Sequence, residues 1–162
     1  MKDAYKHGRR SEYKECLEIK SLSSEDALIH GYASVFNIID QHNDIVLPGA
    51  FAESVERFHS GKTIPILWQH MEDKPIGVVE KIDEDEYGLY ISARILNSIK
   101  YGNEALELIR AQIICGFSIG YSVINNQIDY ETDTRIISKI DLWEISIVTF
   151  PANEETLITS IS

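Results

Sequence analysis

Histidine is missing from everything that follows Ser118. The chain has five, His7, His30, His42, His59 and His70, and all precede that serine. The stretch Gly116-Phe117-Ser118-Ile119-Gly120 matches the Gly-x-Ser-x-Gly pattern of a nucleophile elbow. An elbow needs a strand before the serine, a helix after it, and a histidine last in chain order. Here a helix-like segment precedes Ser118 and a β-branched run follows, so an α/β-hydrolase is excluded. Cysteine is nearly absent too: Cys16 and Cys115 are the two, with no metal-ligand spacing. Reduced thiols are expected, not a disulfide scaffold, and neither a metal nor a cofactor is implied. No apolar run approaches the roughly 18–20 residues that cross a bilayer. The polar N-terminus lacks the apolar core of a secretory signal. Positive charge is scarce, and a net charge of −11 argues against nucleic acid or an anionic membrane as the main partner.

Basic residues concentrate at the front. Lys2, Lys6, Arg9, Arg10 and Lys14 make residues 1–14 a flexible basic tail, with little to bury. Residues 15–162 form a single domain, long enough for a real core. A first strand-like run carries Leu17, Ile19 and Leu22. Leu28 to Phe36 reads as a second strand with Gly31 as a bulge, and residues 37–44 as a polar loop. Phe51, Val55 and Phe58 fall on one helical face. Lys62 to Gln69 alternates as a strand, with Pro65 marking an edge or a strand end. Pro75 to Ile82 and Tyr87 to Ile95 flank the acidic run 83–86, which reads as a solvated hairpin turn. Residues 97–114 read as a helix, with Ala105, Leu108, Ile109 and Ile113 on one face, Asn103 as its cap and Gly116 as its stop. Then come a strand over Phe117 to Ile124, a polar loop over 125–134, and strands over Arg135 to Ile140 and Trp143 to Phe150, ended by Pro151. The regular strand–helix–strand alternation of a doubly wound sheet is missing. The fold class expected is therefore mainly β with α: a closed or partly open β-barrel wrapped by a few helices.

A serine hydroxyl needs a base within hydrogen-bond reach to become a nucleophile. Triads are defined by geometry, and several chain orders, histidine before serine among them, serve equally. His70 is the best base: it ends the apolar run Ile64 to Gln69, where a strand can aim its ring. Alternation puts Ser118, Gly120 and Ser122 on one face and Phe117, Ile119, Tyr121 and Val123 on the other. The small polar face leaves room for a substrate carbonyl. Close backbone packing is the plainer explanation of the same small residues. A third group should orient the imidazole. Glu144 is one candidate, a carboxylate in the apolar run 143–148 that costs free energy unless paired. Asp44, in the loop before Pro48, is the other.

These residues resemble a family. Gly31-Tyr32-Ala33-Ser34-Val35-Phe36, Asp44-Ile45-Val46-Leu47-Pro48-Gly49-Ala50-Phe51, Ile64-Pro65-Ile66-Leu67-Trp68-Gln69-His70, Pro75-Ile76-Gly77, Gly116 to Tyr121, and Glu144 to Asn153 look like the tailed-phage prohead proteases. The likeness runs in one order from Ile29 to Asn153. It implies serine proteases similar in fold to the herpesvirus assemblins, a β-barrel wrapped by helices. Carried over by position, His70 becomes the base and Ser118 the nucleophile. Glu144 falls where the assemblins hold their third member, and Asp44 remains the alternative. Gly116, Phe117, Ile119 and Gly120 form the substrate and oxyanion region, with backbone N–H groups near Ser118 as the expected donors. The resemblance further implies head maturation inside the immature prohead, in the cytoplasm of a bacterial host. Scaffold protein, the scaffold-like arm of the major capsid protein and the chain itself would be cut. Major capsid and scaffold proteins are then the partners, and a homodimer is suggested. Alternatives are a catalytically inactive structural or scaffold-associated head protein, and a peptide-binding β-barrel.

Overall fold

The computed structural model describes residues 25–162 and the short strand β1 (Glu18–Ile19). The basic tail, Cys16, Leu17 and Leu22 lie outside the described residues. The other strands are β2 (Ala27–Val35), β3 (Asp44–Val46), β4 (Pro65–Trp68), β5 (Met71–Glu84), β6 (Gly88–Ile95), β7 (Gly116–Asp129), β8 (Thr134–Val148) and β9 (Ile158–Ile161). Two helices interrupt them, α1 (Ala52–His59) and α2 (Lys100–Arg110). One nine-stranded sheet runs β1-β9-β2-β6-β5-β4-β8-β3, with β7 joined to β8. It curls into a half-barrel around a core that includes Ile29, Phe51, Ile66, Ile91, Phe117, Ile145 and Ile147. Each such side chain stabilises the fold by about 1.5–3 kcal/mol.

β8 organises the site. β7 pairs along its whole length, from Gly116↔Val148 to Asp129↔Thr134. Its other edge takes β3 beside Arg135 to Ile137 and β4 beside Ile145 to Ile147, both parallel. Its buried residues step by three from Ile137 to Ile140 and from Leu142 to Ile145. Both steps coincide with register shifts against β7. At the second, Trp143 is the extra residue: Gly120 faces Glu144, but Tyr121 faces Leu142. A bulge of this kind re-aims the side chains that follow it. Helix α1 fixes the strand nearby. The buried Ser54 hydroxyl donates to the Ile140 carbonyl at 3.1 Å and accepts from Leu142 N–H at 3.0 Å. Arg57 pairs with Asp141 at 2.5 Å.

Several expectations need correction. The 125–134 segment is not a polar loop: β7 and β8 continue as a ribbon with a turn at residues 130–133. The two final strands are one, bent by its bulges. β3 and β9 had no counterpart in the sequence reading, because three and four residues are too few to show a period. Helix α2 is shorter than residues 97–114. Its cap position is Ile99, and Asn103 lies inside it, bonding Asn97. It stops at Ala111, followed by Gln112 at φ 56°, well before Gly116. Leu106 is buried, whereas Ile113 is 65% exposed. Gly31 does sit at a register shift, between β2 and β9. A Cβ there would stand 2.0 Å from the Leu157 carbonyl oxygen, so the close approach of these backbones requires glycine.

Candidate active site

β4 and β5 are joined by a two-residue turn, Gln69–His70, closed by the pair Trp68↔Met71. Both turn residues have positive φ, 53° and 58°. This is the backbone of a primed hairpin turn, usually built from Asn and Gly. Non-glycine residues in this region cost roughly 1–3 kcal/mol each and persist only when their surroundings hold them. β8 provides the hold. Gln69 N–H donates to the Ile147 carbonyl at 3.0 Å. The Gln69 side-chain amide donates to Thr149 Oγ1 at 2.8 Å, and its Oε1 accepts from Thr149 N–H at 3.2 Å. His70 N–H donates to Ser146 Oγ at 3.1 Å. The result is an imidazole in a fixed position at the rim of the sheet.

The ring meets a carboxylate there. His70 Nδ1 lies 2.7 Å from Glu144 Oε1, and Ser146 Oγ donates to Glu144 Oε2 at 2.8 Å. The Glu144 side chain is 12% exposed and that of His70 44%. Gly120 makes this possible. It lies opposite Glu144 in the ladder, and a Cβ on it would come within 2.4 Å of Glu144 Oε1. The Glu144 side chain lies in the space a larger residue would fill. Gly116 has a different reason for its size, the Pro151 ring 2.9 Å from where its Cβ would be.

Ser118 stands one strand away. Ser146 is its partner across β7–β8 and is also the partner of Leu67 in β4. Ser118 and His70 line one cavity of about 130 Å³, with Ala33, Asp44, Phe117 and Ile119 among its walls. A wider groove of about 420 Å³ adjoins it, lined by His70, Glu72, Tyr121, Arg135, Trp143 and Glu144. Phe117 turns both its backbone groups to the segment 151–157: its N–H donates to the Thr156 carbonyl at 2.9 Å, and its carbonyl accepts from Thr156 Oγ1 at 2.6 Å. Alternation without a register shift carries the N–H and C=O of Ile119 to that same edge. Beyond Phe117 this edge of β7 pairs with no strand among the described residues.

Asp44 is elsewhere engaged. It is 2% exposed and forms a two-pronged pair with Arg135, at 2.8 Å to Nε and 2.5 Å to Nη2. Tyr121 donates its hydroxyl to Asp44 at 3.4 Å. The Asp44 carboxylate holds the Arg135 guanidinium more firmly protonated than usual. Burial, and then the Asp44 charge, push the Tyr121 hydroxyl up to about 12. The imidazole is therefore joined to Glu144, while Asp44 ties β3 to β8 beneath the same cavity. His42 also lines that cavity; His59 lies near Asp83, away from it. Sequence reasoning missed Gln69, Ser146 and Thr149. Alternation from Glu144 puts Ser146 on the same face, but Gln69–Thr149 depends on β4 running beside β8, which no local pattern reveals. Among the described residues no cluster of His, Cys, Asp and Glu could hold a metal ion.

This curled sheet with its two helices occurs in solved viral proteases. The fold matches that of a Kaposi's sarcoma herpesvirus (KSHV) protease bound to a hexapeptide phosphonate inhibitor, with a TM-score of 0.57 and 12% identity over 82% of this chain and 64% of that one. It equally matches the bacteriophage T4 capsid assembly protease, with a TM-score of 0.57 and 13% identity over 75% of this chain and 82% of that one. The chain has the assemblin-type protease fold. Residues 15–162 match the model of the caudovirus prohead serine proteases, and the chain belongs to that family. It is 31% identical over 139 residues to the prohead protease of Enterobacteria phage HK97, covering 85% of this chain and 61% of that protein. It is 30% identical over 143 residues to the prohead protease of Escherichia phage T5, covering 85% and 66%. A capsid polyprotein of Pseudomonas phage PAJU2 is 33% identical over 152 residues, 90% of this chain and 21% of that protein. The chain thus spans about three fifths to two thirds of the two proteases it resembles.

Proposed function

We propose that this chain is a serine endopeptidase of phage head maturation, acting inside the immature head in the host cytoplasm. The observation that carries the proposal is the His70–Glu144 bond of 2.7 Å at the mouth of the cavity that Ser118 lines. Glu144 accepts a hydrogen bond from Nδ1–H, which keeps the proton on Nδ1 and leaves Nε2 as the base. Nε2 takes the Ser118 proton as Oγ attacks the peptide carbonyl, and the Ile119 N–H at the open edge donates to the developing oxyanion. The imidazolium then gives its proton to the leaving amine, and an acyl-enzyme remains. Water, deprotonated by the same nitrogen, releases the acyl group and restores Ser118. The open edge of β7 suits an extended peptide added as a further strand.

The substrates that fit are scaffold protein, the scaffold-like arm of the major capsid protein, and the chain itself. The kinship with a capsid polyprotein and with prohead proteases supports this choice. Co-expression with the neighbouring head proteins, followed by mass spectrometry of the new termini, tests it. Discrete cleavage products are expected. Peptide bound stoichiometrically and left intact would instead support a binding barrel, and neither binding nor cleavage an inactive head protein.

Gly120→Ala provides a further check. Its Cβ would stand 2.4 Å from Glu144 Oε1, 2.8 Å from Cγ and 2.9 Å from Cδ, side-chain atoms and not backbone, so the whole glutamate side chain must swing aside while the fold should persist. The displaced carboxylate no longer holds Nδ1, and kcat is expected to fall by about 10- to 100-fold. Steady-state kinetics and thermal unfolding on one preparation measure both effects.

A further inference from the structure

We propose that Ser146 is a positioning residue that fixes the protonation pattern of the His70–Glu144 pair. The proposal rests on the assignment of Ser118, His70 and Glu144 above. Ser146 is fully buried and lies directly across the ladder from Ser118. Its hydroxyl makes two bonds of different sense. A backbone N–H can only donate, so Ser146 Oγ must accept from His70 N–H, at 3.1 Å. Its single proton is then left for Glu144 Oε2, at 2.8 Å. Burial keeps water from offering either bond an alternative. Glu144 receives a hydrogen bond on Oε2, is kept as an ionised acceptor, and accepts a second from His70 Nδ1–H on Oε1 at 2.7 Å. That leaves the lone pair on Nε2, where a base is needed. The same hydroxyl grips the backbone of the strained turn that carries the ring. One side chain therefore sets both where the imidazole sits and which nitrogen is free.

The test has two arms. In the first, ¹⁵N NMR of the His70 ring is recorded in a Ser118→Ala background, where the protein cannot cut itself. The single Nδ1–H tautomer is expected there, and a mixture of tautomers once Ser146→Ala is added. In the second, Ser146→Ala alone lowers kcat by about 10- to 100-fold, with KM within about twofold of wild type. Ser146→Cys, with a weak donor of similar size, recovers part of that loss and carries both arms if the alanine variant does not fold. An unchanged tautomer together with an unchanged kcat overturns the proposal. Cleavage persisting in Ser118→Ala would instead overturn the underlying assignment of the nucleophile, and the NMR arm would still judge Ser146 by itself.

Discussion

Ser118→Ala is expected to abolish cleavage of co-expressed capsid or scaffold protein while leaving the melting temperature within a degree or two of wild type. The loss in kcat should be about six orders of magnitude, the scale seen when a serine nucleophile is deleted from an intact site. The fold should not notice, because Ser118 is partly exposed at the cavity and its backbone stays paired to Ser146. Gel analysis of co-expressed head proteins and circular dichroism of the purified variant measure the two quantities. Processing that continues at the same sites would remove Ser118 from the mechanism.

Glu144→Gln and Asp44→Asn should separate by kind of effect. Glu144→Gln keeps the shape but offers an amide where His70 Nδ1–H needs an acceptor. Turnover is expected to drop by about 10³- to 10⁴-fold, as when the acid of a serine triad becomes an amide. Asp44→Asn should leave turnover within about tenfold of wild type and lower stability instead. It breaks the two-pronged pair with Arg135, and removing one partner of a buried pair costs about 3–5 kcal/mol. Arg135 is 44% exposed, so its charge can turn to water and the cost should fall below that range. Urea titration and kcat on both variants decide the matter. Turnover lost in Asp44→Asn and retained in Glu144→Gln would transfer the orienting role to Asp44.

The candidate site residues were more legible than the framework that joins them. Ser118 stood out by its flanking glycines and His70 by ending an apolar strand. Glu144 was conspicuous as a charge among Trp143, Ile145 and Ile147. Each is a local contrast, visible without knowing the topology. The bends of β8 were legible in principle, since Ile137 to Ile140 and Leu142 to Ile145 break the two-residue period at the two bulges. The break between Leu142 and Ile145 split one strand into two, and the polar residues 125–134 were read as a loop. The polar residues there are paired through the backbone ladder, which side-chain pattern does not report. β3, β9 and the Gln69–Thr149 clasp were out of reach for another reason. They exist because distant segments lie side by side, and a three- or four-residue strand has no period of its own. The left-handed Gln69–His70 turn is similar, because bonds to Ser146 in β8 and to Thr149 just after it hold the turn, and not the turn preferences of Gln and His.

The central claim is that His70, steadied by Glu144, activates Ser118. Covalent labelling with a fluorophosphonate, mapped by peptide mass spectrometry, tests it most directly, with wild type and His70→Ala treated side by side. The account predicts one adduct, on Ser118, in the wild type and its near-complete loss in His70→Ala. An adduct on another residue, or equal labelling of Ser118 in both proteins, would contradict it.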